Sequence, residues 1–71
     1  MSGQPSPYDV VALLADVPSR QLVRGQVGTV VEILDGETVL VEFTDDSGEA
    51  YAIQPLETVS LLVLHYVPEA A

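Results

Sequence analysis

One stretch of this chain, residues 24–36, constrains the fold more than any other. It reads RGQVGTVVEILDG, in which two glycines precede a run rich in β-branched residues and an Asp-Gly pair follows it. β-Branched residues favour a pleated strand over a helix, and a glycine lets a neighbouring strand approach closely. The stretch therefore predicts a tight entry, at Gly25 and Gly28, into the central strand of a small sheet. A phosphate-binding loop is not indicated, because its glycines would precede a helix.

The chain is short, acidic and free of cysteine. Its 71 residues provide one domain with a modest core, since a domain near this size buries only about 60% of its unfolded surface. Eleven acidic residues stand against two arginines, for a formal net charge of −9. Because nucleic-acid binding depends on Lys and Arg, we expect no nucleic-acid partner. The acidity is most simply explained by solubility, and the alternative is attraction of a basic protein partner.

The sequence does not indicate an enzyme. The absence of cysteine excludes disulfides and thiolate chemistry. The single histidine, His65, falls on the opposite face of the last predicted strand from Ser60, so the two cannot form a nucleophile–base pair. The acidic turn at residues 45–49 lacks the ligand spacing of a calcium loop. We therefore expect no catalytic residue, metal, cofactor or small-molecule substrate.

A membrane protein is not indicated either. No apolar run approaches the roughly 18 residues of a membrane span, and the first residues lack the basic and apolar segments of a signal peptide. We expect a cytoplasmic protein with no membrane partner.

The first half of the chain predicts a tail, a strand and a long loop. Residues 1–7 contain Gly and Pro among small polar residues and should be a disordered tail. Residues 8–14 are mostly apolar and predict the first strand, although a helix is possible for so short a run. Residues 15–25 form a long connection in which Leu22 and Val23 fold back onto the core.

Two hairpins are predicted next, and burial sets the register of each. A three-residue loop at residues 35–37 places Val27, Val31 and Ile33 on one face with Val39, Val41 and Phe43. A two-residue Asp-Gly loop would instead mix polar and apolar residues on both faces. A second loop at residues 46–48, with Gly48 in the left-handed conformation, sets Phe43 opposite Tyr51 and Val41 opposite Ile53.

The end of the chain predicts a corner and a final strand. Residues 55–58 read as a short helical turn, residues 59–67 as the last strand, and residues 68–71 as a tail after Pro68. The whole pattern predicts an all-β fold over residues 8–67: a small five-stranded SH3-like barrel with a short helical turn before the last strand.

Several short strings resemble a bacterial family of small domains of unknown function. They are YDVVAL at 8–13, RGQVGTVVE at 24–32, VEF at 41–43, GE at 48–49, YA at 51–52 and LL at 61–62. The resemblance covers residues 8–66 and implies no activity. A weaker similarity, through Gly25, Gly28 and the valines at 30–31, runs to the KOW-type motif of ribosomal and transcription factors. The chain lacks the basic residues of those proteins, so RNA binding is not implied.

The first and last strands are apolar on both faces, whereas a solvated antiparallel strand should alternate. In a small barrel these two strands are commonly neighbours. One set of side chains then fills the core: Val11, Leu13, Leu61 and Val63. The other set faces outward: Val10, Leu14, Leu62 and Leu64. Contiguous exposed apolar surface marks a partner or oligomer interface. The alternative is that strand bending, the long loop and the tails bury both faces within one chain.

The two positive charges, Arg20 and Arg24, lie in the long loop. We include both among the candidate partner-interface residues. Their simplest role is pairing with nearby acids, worth no more than about 1 kcal/mol per pair, and a dedicated anion site is the alternative.

Two functional hypotheses follow. The first is a non-catalytic protein-interaction module, in particular an antitoxin-like or immunity-like inhibitor of a partner protein. The second is a structural or accessory subunit, either in a homo-oligomer or in a larger enzyme assembly.

Overall fold

The computed structural model describes residues 5–64 and shows five antiparallel strands in one sheet. The strands are β1 (Val10–Leu13), β2 (Val27–Ile33), β3 (Thr38–Thr44), β4 (Ala50–Glu57) and β5 (Leu61–Val63). Their order is β4-β3-β2-β1-β5, so β2 is the central strand, as predicted. Two 3₁₀ turns, Pro18–Arg20 and Thr58–Ser60, are the only helical elements of the described residues. The all-β class and the helical turn before the last strand are confirmed.

The core lies against one face of the sheet. The buried apolar side chains are Val11, Leu13, Leu22, Val30, Val39, Val41, Phe43, Leu56 and Leu61. All five strands contribute to this cluster, including β4 and β5 at the two edges of the sheet. Among residues 5–64, no helix longer than one 3₁₀ turn and no second sheet covers the buried face. Among the described residues, the core therefore consists of side chains from the five strands and of the loop residue Leu22.

Gly28 lies at a point of close contact between β2 and β3. It is opposite Phe43 in the ladder, and a Cβ atom at this position would lie 2.7 Å from Cγ1 of Val41 and 2.9 Å from the carbonyl oxygen of Glu42. Only a residue without a side chain fits there. The expectation that a glycine permits close approach of a neighbouring strand is confirmed at this position.

The β2–β3 hairpin has the predicted three-residue loop. The amide of Leu34 donates a hydrogen bond to the carbonyl of Thr38 (2.9 Å), and Ile33 lies opposite Val39. The loop prediction for residues 35–37 is confirmed.

A β-bulge at Val31 then changes the register of β2. Val30 pairs with Val41, whereas the next pair is Glu32 with Leu40, so Val31 is the extra residue. An extra residue reverses the faces of the side chains on one side of it. Val30 is consequently fully buried, and Val27 is 44% exposed on the other face. The predicted burial of Val27 and Val31 in the core is therefore wrong.

The β3–β4 hairpin also combines the predicted three-residue loop with a β-bulge. The amide of Asp45 donates to the carbonyl of Glu49 (2.9 Å), and Gly48 has φ +84°, so the predicted loop at residues 46–48 is confirmed. Tyr51 is then an extra residue, because Thr44 pairs with Ala50 but Phe43 pairs with Ala52.

The bulge at Tyr51 contradicts the predicted pairs along β4. Val41 lies opposite Gln54 rather than Ile53, and Ile53 lies opposite Glu42 with half of its surface exposed. Tyr51 is not opposite Phe43, although their ring centroids are 6.4 Å apart. The shift brings Leu56 to the core face opposite Val39.

The loop between β1 and β2 is anchored by one of the two predicted residues. Leu22 is only 2% exposed, and its backbone exchanges two hydrogen bonds with Val17 (2.8 and 3.2 Å). Val23 is 56% exposed, so its predicted contact with the core is wrong.

The corner before the last strand lies later than predicted. Residues 55–57 belong to β4, because Glu57 still pairs with Thr38, and the turn is Thr58–Ser60. Pro55 is tolerated because β4 is an edge strand. The last strand starts at Leu61 rather than at residue 59. The predicted continuation of this strand to residue 67 and the C-terminal tail lie outside the described residues, as do residues 1–4 of the predicted N-terminal tail.

Candidate protein-interaction surface

β1 and β5 are neighbours, and their inner sides lie where the sequence placed them. Val11 pairs with Val63 and Leu13 pairs with Leu61. Val11 and Leu13 are at most 2% exposed, Leu61 is 8% exposed, and Val63 packs against the core cluster. The inner set predicted for these two strands therefore occupies the core.

The outer sides of the same strands carry the four apolar residues that the sequence singled out. Leu62 pairs with Ala12, and the amide of Leu64 donates to the carbonyl of Val10 (2.8 Å). Leu62 and Leu14 are about half exposed, at 51% and 48%, whereas Val10 and Leu64 are partly buried. The structure therefore brings all four residues to one face.

Val27 extends this surface onto a third strand. Ala12 lies opposite Val27 on one side and opposite Leu62 on the other, and adjacent strands are about 4.8 Å apart. Three apolar side chains thus form a row across β2, β1 and β5. We call the combined surface the outer strip; it consists of Val10, Ala12, Leu14, Val27, Leu62 and Leu64. Sequence reasoning missed Val27 because the bulge at Val31 turns it outward.

All the charged side chains on the rest of the outer face are acidic. The buried side chains of β3 are its odd-numbered residues 39, 41 and 43, so Glu42 points outward, where it pairs with Thr29 and Ile53. Glu32 and Glu57 also lie on this face, opposite outward residues of β3. These three glutamates are the only charged residues in the five described strands.

The two arginines lie outside the sheet. Arg20 ends the 3₁₀ turn Pro18–Arg20 and is exposed. Arg24 is also exposed, and its backbone amide donates to Oδ1 of Asp16 (2.8 Å). The next amide, of Gly25, donates to the carbonyl of Leu13 (2.8 Å). The residue after Arg24 is therefore held beside the end of β1, whereas Arg20 lies earlier in the loop, on the 3₁₀ turn.

Two side chains connect this loop to β4. Nε2 of Gln26 donates a hydrogen bond to the hydroxyl of Tyr51 (2.6 Å), and Oε1 of Gln26 accepts one from the amide of Val23 (2.5 Å). The Tyr51 ring rests near Phe43. The loop that carries the arginines is thus tied to the start of β4.

The described part of the chain offers a surface rather than a cleft. No pocket opens among residues 5–64, and no group of three or more His, Cys, Asp or Glu side chains in this range could hold a metal ion. His65 lies outside the described residues. Within residues 5–64, no helix has the length and hydropathy needed to cross a membrane.

Comparison with known proteins identifies the family. The model of a family described as Domain of unknown function (DUF4926) matches residues 8–63, a range that includes all five strands. The chain belongs to this family, which confirms the predicted membership in a family of small domains of unknown function. No curated protein and no solved structure matches the chain.

Proposed function

We propose that this DUF4926 domain is a non-catalytic, cytoplasmic protein-interaction module that docks on a partner protein through the outer strip. The observation that carries the proposal is the exposed apolar row across three strands, in which Val27 and Leu62 are 44% and 51% exposed and flank Ala12. Leu14 adds a third half-exposed side chain. Contiguous apolar surface of this kind, bordered by polar residues, marks interaction sites on soluble proteins.

The energy available from the outer strip is useful but modest. Fully burying a Val or Leu side chain contributes roughly 1.5–3 kcal/mol. Leu14, Val27 and Leu62 are each about half exposed, so covering them contributes about 1 kcal/mol each, or about 3 kcal/mol together. Micromolar binding needs about 8 kcal/mol. The outer strip therefore acts as the apolar centre of a larger interface.

The form of this module that we favour is an antitoxin-like or immunity-like inhibitor, which acts by covering a surface of its partner. The alternative is a structural or accessory subunit, in a homo-oligomer or in a larger enzyme assembly, that uses the same strip. A toxin-like reading frame beside the gene would favour the inhibitor, and an enzyme operon would favour the subunit.

We also infer that the sheet curls into a small SH3-like barrel. Three features support this inference: β1 lies between β2 and β5, a long loop joins β1 to β2, and a 3₁₀ turn precedes β5. An experimental structure in which the sheet is open and its core is covered by a second chain would contradict it.

The interaction proposal is tested with a charge placed in the outer strip. The test variant combines Leu14→Glu with Leu62→Glu, two half-exposed positions on that face. The matched control is Val59→Glu, because Val59 is 81% exposed on the turn Thr58–Ser60 and is not part of the strip. Circular dichroism and urea unfolding establish that each variant is folded.

Each tagged protein is then used to capture partners from a lysate of the native host. We expect the wild type and Val59→Glu to retain the same specific protein and the strip variant to lose it. Failure of the wild type to retain any specific protein, or equal retention by the strip variant, contradicts the proposal. Light scattering gives the solution mass in parallel; a dimer that the strip variant converts to a folded monomer favours the homo-oligomer instead.

A further inference from the structure

The outer face of the sheet has two chemically different halves. The outer strip occupies β1, β5 and the start of β2, and it carries no charge. The other half, on β2, β3 and β4, carries Glu32, Glu42 and Glu57. The described strands contain no Lys or Arg that could pair with these glutamates.

The outer strip and Glu42 fit within one binding footprint. Glu42, Thr29 and Val10 are consecutive partners on β3, β2 and β1, so Glu42 lies about 10 Å from the outer strip at the usual strand spacing. A standard protein interface covers about 800 Å² on each side, a patch roughly 28 Å across. A partner centred on the strip therefore also reaches Glu42.

Glu42 has the most sheltered position of the three carboxylates. It is partly buried, between Thr29 and the half-exposed Ile53, whereas Glu32 and Glu57 are exposed. A partner that covers Ile53 also removes water from Glu42. A carboxylate that loses water without gaining a cation is costly, so this position selects for a positive charge on the partner.

Building on the proposed function, we propose that the partner is a protein surface that places apolar side chains on the outer strip and Lys or Arg side chains on the acidic half of the face, at Glu42 in particular. Charge complementarity of this kind increases the association rate and selects the partner. The net charge of −9 adds long-range attraction for a basic protein.

Two other occupants fit this face less well. A second copy of the chain would bring another net charge of −9 and another face whose strand charges are all negative, which opposes contact. A nucleic acid would be repelled, because the described strands of this face carry no cation for the phosphates.

The test uses a phage-displayed library of random peptides selected on the immobilised full-length chain. Selected peptides are measured against three variants. The first is the strip variant, Leu14→Glu with Leu62→Glu. The second, the face variant, combines Glu32→Gln, Glu42→Gln and Glu57→Gln. The third, the turn variant, combines Glu37→Gln, Asp46→Asn and Glu49→Gln, which removes the same amount of charge from the hairpin loops.

We expect the selected peptides to combine Lys or Arg with apolar residues and to lose binding to the strip variant. The face variant should bind them about tenfold more weakly, as expected for three partly exposed charge pairs. The turn variant should bind within about twofold of the wild type at physiological salt, because distant charges are screened.

The outcomes separate this inference from the proposed function. Peptides that require the strip but show no excess of Lys or Arg, or that bind the face and turn variants equally, overturn the inference and leave the interaction module intact. Peptides that bind the strip variant as well as the wild type count against both. Self-association through the strip, seen by light scattering at the same concentrations, overturns the basic partner in favour of a second copy.

Discussion

Replacing Gly28 by alanine tests how closely β2 and β3 pack. The added Cβ would lie 2.7 Å from Cγ1 of Val41, 2.9 Å from the carbonyl oxygen of Glu42 and 3.0 Å from Cδ2 of Phe43. Carbon atoms pack favourably at about 3.5–4.0 Å, so the nearest contact is about 0.8 Å too short. Val41 and Phe43 are fully buried, and the contact with Glu42 is to its backbone, so the neighbours have little room to move.

We expect Gly28→Ala to lower the free energy of unfolding by about 2 kcal/mol, within the range of roughly 1–3 kcal/mol for overpacking. With a urea dependence of about 1 kcal/mol per molar for a small domain, the unfolding midpoint should fall by about 2 M. The melting temperature should fall by about 8–16 °C.

The matched control is Gly36→Ala, where an added Cβ meets no atom within 4 Å. This variant should be as stable as the wild type or slightly more stable, because alanine restricts the unfolded chain. Urea unfolding followed by circular dichroism measures both. If Gly28→Ala unfolds within about 0.5 kcal/mol of the wild type, the close packing of β2 on β3 is refuted.

Three further predictions concern the loops. Leu22→Ala should destabilise the protein by about 2–5 kcal/mol, because Leu22 is 2% exposed, whereas Val23→Ala should change stability by less than about 0.5 kcal/mol; a similar effect of both in urea unfolding would contradict the loop's anchoring. Tyr51→Phe removes the hydrogen bond from Gln26 and should cost about 0.5–1 kcal/mol, with faster amide exchange in the β1–β2 loop; unchanged exchange would refute the tie. Gly48→Ala should cost about 1–2 kcal/mol in thermal unfolding because φ is +84°, and no loss would mean that the loop adopts another turn.

The turns could be predicted because local turn chemistry marks their positions and the apolar residues beside them set the loop length. The Asp35-Gly36 pair and Gly48 each mark a hairpin loop, burial of the flanking apolar residues gave each loop three residues, and both loops are where the sequence placed them. The inner faces of β1 and β5 were predictable for a similar reason. Once the two strands are neighbours, alternation alone separates Val11 and Leu13 from the outer side chains.

The bulges could not be predicted in this way, because each one depends on which side chains must face the core at both ends of its strand. At the start of β2, Gly28 lies opposite Phe43, so the even-numbered residues face the core. At the end of β2, Ile33 lies opposite Val39, so the odd-numbered residues face the core. Val30 and Val31 are the same residue type, so nothing local shows which one is extra.

The same reasoning explains what was missed on the candidate surface. The contribution of Val27 to the outer strip depends on the bulge in β2. The position of Ile53 next to Glu42 depends on the bulge in β4. The apolar residues on both faces of β1 and β5 indicated an interaction surface. Its extent could be defined only once the pairing registers of β2 and β4 were known.

The extra residue at Val31 also determines which family members can have the same outer strip. A family member with one residue fewer between positions 28 and 33 would have an uninterrupted ladder, and the side chain at position 27 would then point to the core. Deletion of a single residue would therefore move the valine side chain at position 27 from the exposed face of the sheet to the core without any substitution at that position. Family members with and without the extra residue should therefore differ in whether they bind a partner through this surface. The number of residues between the glycine at position 28 and the Asp-Gly pair should separate these two groups better than the residue types do.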